Sequence, residues 1–384
     1  MNQIISTEKK PIKLWIDDIE EGALQQAKNL ANLPFTFKWV AIMADSHQGY
    51  GMPIGGVLAT RDVIIPNAVG VDIGCGMCAV KTSLQSIEHD PLKQVMSGIR
   101  KRVPLGFNHH KEPQDWEGFD KAPDVAVIQQ ELDSSRYQLG TLGGGNHFIE
   151  IQHGSDGYVW LMLHSGSRNF GLKIANEYHK KARRLCERWH TDLPDKDLSF
   201  LPVETKEAEE YSEAMNFALD FARANRYKMI DAMKASVREV IGNVEFDETI
   251  NIHHNYAAWE YHFDQNVIVH RKGATSAKEG EMGIIPGSQG MKSYIVRGKG
   301  NPESFMSCSH GAGRKMGRKQ ARRELSLEDE KKLLDEKGII HAIRSKKDLD
   351  EASSAYKDIN VVMQNQSDLV DIVIELSPLA VIKG

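Results

Sequence analysis

The chain reads as a series of short apolar runs broken by turn residues, with one long amphipathic stretch among them. Apolar and β-branched runs recur at Phe35–Met43, Val57–Ile65, Val159–Leu163, Val267–Val269, Leu369–Leu376 and Leu379–Ile382. Each is short and mostly bounded by Gly, Pro, Asn or Asp, which is the pattern of strands. Between Ala208 and Ile241 the residues Tyr211, Met215, Ala218 and Ala222, then Met229, Met233 and Val237, recur at three- and four-residue steps. That period predicts an amphipathic helix, with Gly242 as its stop. A second, charged helix is expected over Ser326–Lys337, and the acidic stretch Thr191–Glu210 is expected to be exposed. No internal repeat, low-complexity tract or flexible linker divides the chain. The pattern therefore predicts one large α+β domain over residues 1–384, with mixed β-sheets surrounded by helices and a helical insert at about 173–243.

Composition narrows the class of protein. The 384 residues carry 48 Lys+Arg against 53 Asp+Glu, a formal net charge of −5, with 41% hydrophobic and 26% charged residues. That is the make-up of an ordinary soluble globular protein. No apolar run approaches the ~18 residues of a membrane span. The start, MNQIISTEKK, lacks the apolar core of a secretory signal. Four cysteines are too few for a disulfide scaffold and point to a reducing compartment. A cytoplasmic protein with no membrane partner is expected. Charge is unevenly spread, however: Lys180–Arg188 and Gly313–Arg323 are basic blocks on an acidic chain. Together they suggest a local polyanion site, the plain alternative being solvated helix faces.

The residues able to do chemistry collect at strand ends and in glycine-rich loops, where functional groups commonly lie. Asp45 and His47 follow the first strand run, and Asp72 and Cys75 sit in GVDIGCG. His147 lies in GTLGGGNHFIE, His164 closes VWLML, His254 lies in NIHHNY, and His310 lies in SCSHGAGR. Asp oxygen, Cys sulfur and His nitrogen are donors for divalent transition ions, and one turn can present Asp72 and Cys75 to a common site. Taken singly, a loop histidine is more often a hydrogen-bonded surface residue, and Cys75 a small buried hydrophobe. Cys75 and Cys78 also form a CGMC pair, but no second CxxC completes a zinc knuckle. The loops Gly143–Asn146, Pro286–Gly290 and Gly311–Arg314 offer backbone donors to phosphate, yet none matches a Walker A or dinucleotide-binding pattern.

The blocks DSHQGYGMPIGG, VGVDIGCGM, GTLGGGNHFIEI, LHSGSRNFG, HHNYA, HRKGATSA, IIPGSQGMKSYIV, SCSHGAGR and the ending VIKG resemble, in order, those of the RtcB family. These are GTP- and manganese-dependent ligases that join RNA 3′-phosphate or 2′,3′-cyclic phosphate ends to 5′-hydroxyl ends, in tRNA splicing and RNA repair. The resemblance runs from Asp45 to the last residue and is strongest to the shorter bacterial members. It departs at Ser46, Asn169, Gln289 and Gly317, as a divergent paralogue would, and spares every expected ligand.

Carried onto this chain, the resemblance implies two Mn2+ per active site. One would be held by Cys75, His164 and His254, the other by Asp72, Cys75 and His147. His310 would be the histidine that becomes covalently linked to GMP, oriented by Asp45. GTP would lie along Asn146, His147, Phe148, Ile149 and Glu150, then His254, Asn255, Pro286, Gly287, Ser288, Gln289 and Ser293, then His310, Gly311, Ala312 and Gly313. Glu150 and Lys383 would read the guanine, with Tyr356 in the same wall. Arg168, Arg314 and Arg318 would contact the RNA backbone. An archease-like activating protein is a further partner the family admits. Two other readings are a dinuclear metal phosphoesterase or nuclease acting on RNA, and a non-catalytic RNA-binding scaffold. A lone metal pair would satisfy the former, but neither needs His310.

Overall fold

A computed structural model describes residues 1–384. Two β-sheets carry the architecture. The first has six strands in the order Gln3–Ile5, Ile12–Leu14, Thr36–Tyr50, Met52–Thr60, Gln265–Lys272 and Asn255–His262, and mixes parallel with antiparallel pairs. The second has seven antiparallel strands in the order Ile250–His253, Gly76–Lys81, Val159–Ser165, Phe148–Gly154, Val370–Lys383, Ser293–Gly298 and Met282–Ile285. An α+β fold is thus what the residue pattern builds.

Period-two alternation gives the seven-stranded sheet two different faces. Cys78 and Val80, Ile149 and Ile151, Leu161 and Leu163, and Ile382 form one apolar cluster with Val95 and Ile99 of the helix His89–Arg102 and with Met229 and Met233 of the helix Lys206–Ile241. Met77, Ala79, Trp160 and Met162 take the opposite face. The two sheets meet at the last two strands of the seven-stranded one, Ser293–Gly298 and Met282–Ile285, where Phe37, Met43 and Val57 pack with Ile285, Tyr294 and Val296. The helix Lys206–Ile241 begins where the Thr205 side chain accepts from the Ala208 N–H, and it ends at Gly242, whose φ of 97° suits only glycine comfortably. All seven of its pattern-forming residues are buried. It and the helix Asn169–Arg188 occupy most of the 173–243 stretch.

Three expectations change. The run Val57–Ile65 is two strands, Met52–Thr60 and Val63–Ile64, because the chain turns at Asp62, held at φ 55°. The last two apolar runs are a single 14-residue strand, with a register irregularity beside Pro378, which has no N–H to give the ladder. The stretch Thr191–Glu210 is only partly exposed, since Leu198 and Leu201 are buried, the latter in a two-residue strand against Val63–Ile64. All four cysteines are free and buried, and no helix is long and apolar enough to cross a membrane.

Candidate metal centre and nucleotide pocket

Four neighbouring strands of the seven-stranded sheet deliver the metal donors. Gly76 pairs with His253 on one side and with Ser165 on the other, and Phe148 pairs with His164. The strand ends therefore bring Cys75, His254, His164 and His147 together from segments far apart in sequence. The Cys75 sulfur lies 3.1 Å from His164 Nε2 and 3.4 Å from His147 Nε2. His147 Nε2 is 3.4 Å from Asp72 Oδ2, and His164 Nε2 is 3.2 Å from His254 Nε2. Two donor groups result, Cys75–His164–His254 and Asp72–Cys75–His147, each with its donor atoms within 4.8 Å of one another and with Cys75 in common. Close packing is enforced at Gly76, where an added Cβ would stand 1.9 Å from the Ile252 carbonyl oxygen.

The donors fit a divalent cation in their chemistry as well as their spacing. His147 Nδ1 is committed to the Leu142 carbonyl at 2.9 Å, and His164 Nδ1 to the Asn146 carbonyl at 3.1 Å. Each ring therefore turns its Nε2 lone pair to the cluster, the usual arrangement of a metal-binding histidine. Burial, with neighbouring histidines, holds His164 and His254 well below the ordinary imidazole range, so both are neutral donors. The two Nε2 atoms, 3.2 Å apart, are placed so that a shared cation would satisfy both. Burial, reinforced by Asp72, pushes the Cys75 thiol well above its ordinary value. A cation is what would draw its proton off. Cys78 points to the helix side of the sheet and takes no part.

His310 approaches from a separate two-stranded ladder, Ala274–Ser276 against Ser307–Ser309. It follows the short strand Ser307–Ser309, and its ring centroid is 4.8 Å from that of His254. Asp45, fully buried, lies on the long strand Thr36–Tyr50 where the register slips between Ile42 and His47. Such an irregularity re-aims a side chain. Asp45 Oδ2 accepts from His310 Nδ1 at 2.6 Å and from the backbone N–H groups of His310 and Gly311 at 3.1 and 3.2 Å. Burial opposes charge on Asp45, but His310, His47 and Lys357 outweigh it and lower its pKa. The loop can come this close because residue 313 is glycine: φ is 74°, and a Cβ would meet the Asp45 carbonyl oxygen at 2.1 Å. With Nδ1 occupied, the His310 Nε2 lone pair is free to act as a nucleophile. Metal donors and His310 line one cavity of about 1420 Å³.

The sequence has relatives among known proteins. The family model described as tRNA-splicing ligase RtcB matches residues 26–122 and 114–384. The chain belongs to the RtcB family. It is 39% identical to the RNA-splicing ligase RtcB1 and 38% identical to the RNA-splicing ligase RtcB of two Escherichia coli strains, over 100% of this chain and 99% of each relative. It is 31% identical to the tRNA-splicing ligase RtcB of Thermococcus kodakarensis, over 95% of this chain and 92% of that protein.

Most of the positions that the RtcB resemblance assigned to nucleotide line the same cavity: Asn146, Phe148 and Glu150, Asn255, Pro286 to Gln289, Gly311 to Gly313, Tyr356 and Lys383. Two do not. Ile149 falls on the helix side of its strand, packed in the apolar cluster, with its backbone paired to Leu163 and Ile382. Alternation along the strand excludes it. Ser293 lies behind the wall, its hydroxyl accepting from Gly287 N–H at 3.1 Å and from Gln152 Nε2 at 3.2 Å. It braces the Pro286–Gln289 loop.

The expected RNA contacts also separate. Arg314 is turned inward, donating to the carbonyls of Met316 and Asp350, to Glu351 and to the Tyr356 hydroxyl. With its guanidinium so engaged, it stands in the cavity wall. Arg318 is half exposed at the cavity mouth, beside Lys319 and Arg323. Arg168 donates to Thr141 Oγ1 and lies 3.5 Å from His147 Nδ1, so its first task is to hold the loop that carries His147. The block at Lys180–Arg188 is a solvated helix face, in part tied up in ion pairs with Glu177, Glu187 and Glu210.

One buried residue went unseen in the sequence. Glu351 takes hydrogen bonds from Arg314, Arg318 and the Tyr356 hydroxyl, and lies 3.9 Å from Lys383 Nζ. Burial opposes its charge, but Lys383 and these partners win and keep it below the ordinary carboxylate range. It sits in the acidic-basic run KKDLDEASS, where no spacing distinguishes it from a solvated carboxylate.

Glu150 behaves in the opposite way. Burial raises it from 4.5 to about 8, with Lys383 and Gln152 only partly compensating. A carboxyl raised on folding stabilises fully below its unfolded pKa, and that stability fades as pH rises through the folded value. Wild-type melting temperature should therefore fall between pH 4.5 and about 8 relative to Glu150→Gln, whose profile should be flatter. The difference is bounded by about 5 kcal/mol, at 1.36 kcal/mol per pKa unit. Parallel melting curves for the two proteins across that window would show that Glu150 is ionised throughout.

Proposed function

We propose that this chain is a GTP-dependent RNA ligase that joins 3′-phosphate or 2′,3′-cyclic phosphate ends to 5′-hydroxyl ends. The observation that carries the reading is a histidine fixed through Nδ1 by a buried carboxylate, beside two donor groups that share one cysteine, in a single cavity. The relatives' names, RNA-splicing and tRNA-splicing ligase, support the same substrate class.

His310 Nε2 attacks the α-phosphorus of GTP, the bond to the β-phosphate oxygen breaks, and pyrophosphate leaves. Asp45 keeps the Nδ1 proton in place and stabilises the charge the ring acquires. An oxygen of the RNA 3′-phosphate then takes the GMP, the P–N bond breaks, and His310 returns to neutral. The 3′ end is now a diphosphate with a good leaving group. Attack by the 5′-hydroxyl, with loss of its proton, expels GMP and leaves the phosphodiester. A cyclic phosphate is first hydrolysed to the 3′-phosphate. Manganese at Asp72, Cys75, His147, His164 and His254 would neutralise phosphate charge during these transfers. Arg318 and its basic neighbours would receive the RNA backbone at the mouth.

The test is sealing of two RNA strands by protein, manganese and GTP, with the end chemistry varied. Joining of 3′-phosphate or cyclic ends to 5′-hydroxyl, and none of 3′-hydroxyl to 5′-phosphate, is expected. RNA cleavage without joining would favour the dinuclear phosphoesterase that the metal donors alone would allow.

Lys383, with a pKa lowered by burial despite Glu351 and Glu150, is poised at the guanine wall. Lys383→Ala should weaken GTP use about 10- to 100-fold, the loss of one charge-assisted hydrogen bond, while manganese binding stays at wild-type strength. An unchanged KM for GTP would remove Lys383 from the nucleotide site.

A further inference from the structure

Behind the metal donors, out of reach of the cavity, two adjacent side chains of the helix Lys206–Ile241 tie the ligand-bearing segments together. Arg226 is fully buried and has no carboxylate partner. Its Nη1 donates to the carbonyls of Gly74 at 2.8 Å and Ser165 at 2.9 Å, and its Nη2 to His253 Nδ1 at 3.0 Å. Nε reaches Asn251 Oδ1 at 2.7 Å. Gly74 precedes Cys75, Ser165 follows His164, and His253 precedes His254. One planar guanidinium thus bonds the residue next to each of the three members of one donor group, through the backbone at Gly74 and Ser165 and through the side chain at His253.

Asn225 extends the same grip to the second group. Its Oδ1 accepts from the N–H groups of Gly140 and Thr141 at 2.7 and 3.1 Å. Its Nδ2 donates to the Thr141 carbonyl, the Ser165 hydroxyl and the Gly166 carbonyl. The Ser165 hydroxyl in turn donates to the Leu142 carbonyl, the acceptor for His147 Nδ1. A buried, unpaired guanidinium costs stability, and next to a cation site it repels the cation. Attraction of metal therefore cannot be its role. What remains is geometry: rigid, fork-shaped donation to two carbonyls and two side chains on segments that would otherwise be held independently.

We propose that Asn225 and Arg226 are positioning residues that set the spacing of the metal donors. The proposal rests on the metal reading of those donors. Its test uses cobalt(II) as a probe of the whole chain, with affinity read by calorimetry and coordination read in the visible spectrum. Arg226→Lys and Asn225→Ser should each bind cobalt about 10- to 100-fold more weakly, the range for partners that orient ligands, with shifted absorption bands. Arg271→Lys is the control, since Arg271 is equally buried but bonds Glu260, Ser307 and the Phe305 carbonyl instead. It should lose melting temperature while keeping cobalt affinity and spectrum. Wild-type affinity and spectrum in either folded variant would overturn the proposal. Failure of both to fold would do so too, assigning the pair to the core alone. Wild-type protein that binds no cobalt would instead overturn the metal reading itself.

Discussion

His310→Ala is expected to leave a folded, metal-binding protein that seals no RNA. The ring touches the metal donors only through its contact with His254, and its loss removes no donor from either group. It does remove the proposed nucleophile, the ring that buried Asp45 orients in the cavity. Sealing should fall by at least a factor of about 10³, the scale for losing a nucleophile, with melting temperature little changed. Asp45→Asn should act in the same direction but less severely, because the amide still occupies Nδ1 while no longer stabilising charge. Retained sealing in His310→Ala would end the covalent account. Loss of metal together with sealing would recast His310 as a ligand.

Cys75→Ala is expected to lose metal and sealing together. Cys75 belongs to both donor groups, so one substitution leaves each with only two donors. Bound metal should drop by more than half and sealing by at least about 10³-fold. Cys78→Ala deletes an equally small, buried side chain from the other face of the strand. Its cost should be on the order of 1 kcal/mol of stability, with metal content unchanged. Elemental analysis of the two proteins, purified alike without chelators, separates the cases. Full metal content in Cys75→Ala would exclude the shared ligand.

The chemistry of this site was readable in the sequence to the extent that it was local. Asp72 and Cys75 share one turn, the SCSHGAGR block carries His310, and helical period alone marked a helix over Ala208–Ile241. The grouping of donors was not local. His147, His164 and His254 become neighbours of Cys75 only because four strands align in one register, and no spacing along the chain encodes that order. Period-two alternation could have removed Ile149, whose neighbours Phe148 and Glu150 face the cavity while it faces the helices. Arg314 and Glu351 were illegible for another reason. A charged residue in a charged run looks solvated until its partners, here Tyr356, Lys383 and each other, are folded against it. Arg226 carried no signal either, being one basic residue on a long helix.

His310 is proposed to carry GMP as a covalent intermediate. Protein incubated with manganese and GTP labelled at the α-phosphate, then denatured, should retain the label, survive alkali with it, and lose it in acid as a P–N bond requires. Metal-loaded protein that retains no label would contradict the account and leave the donors to a phosphoesterase.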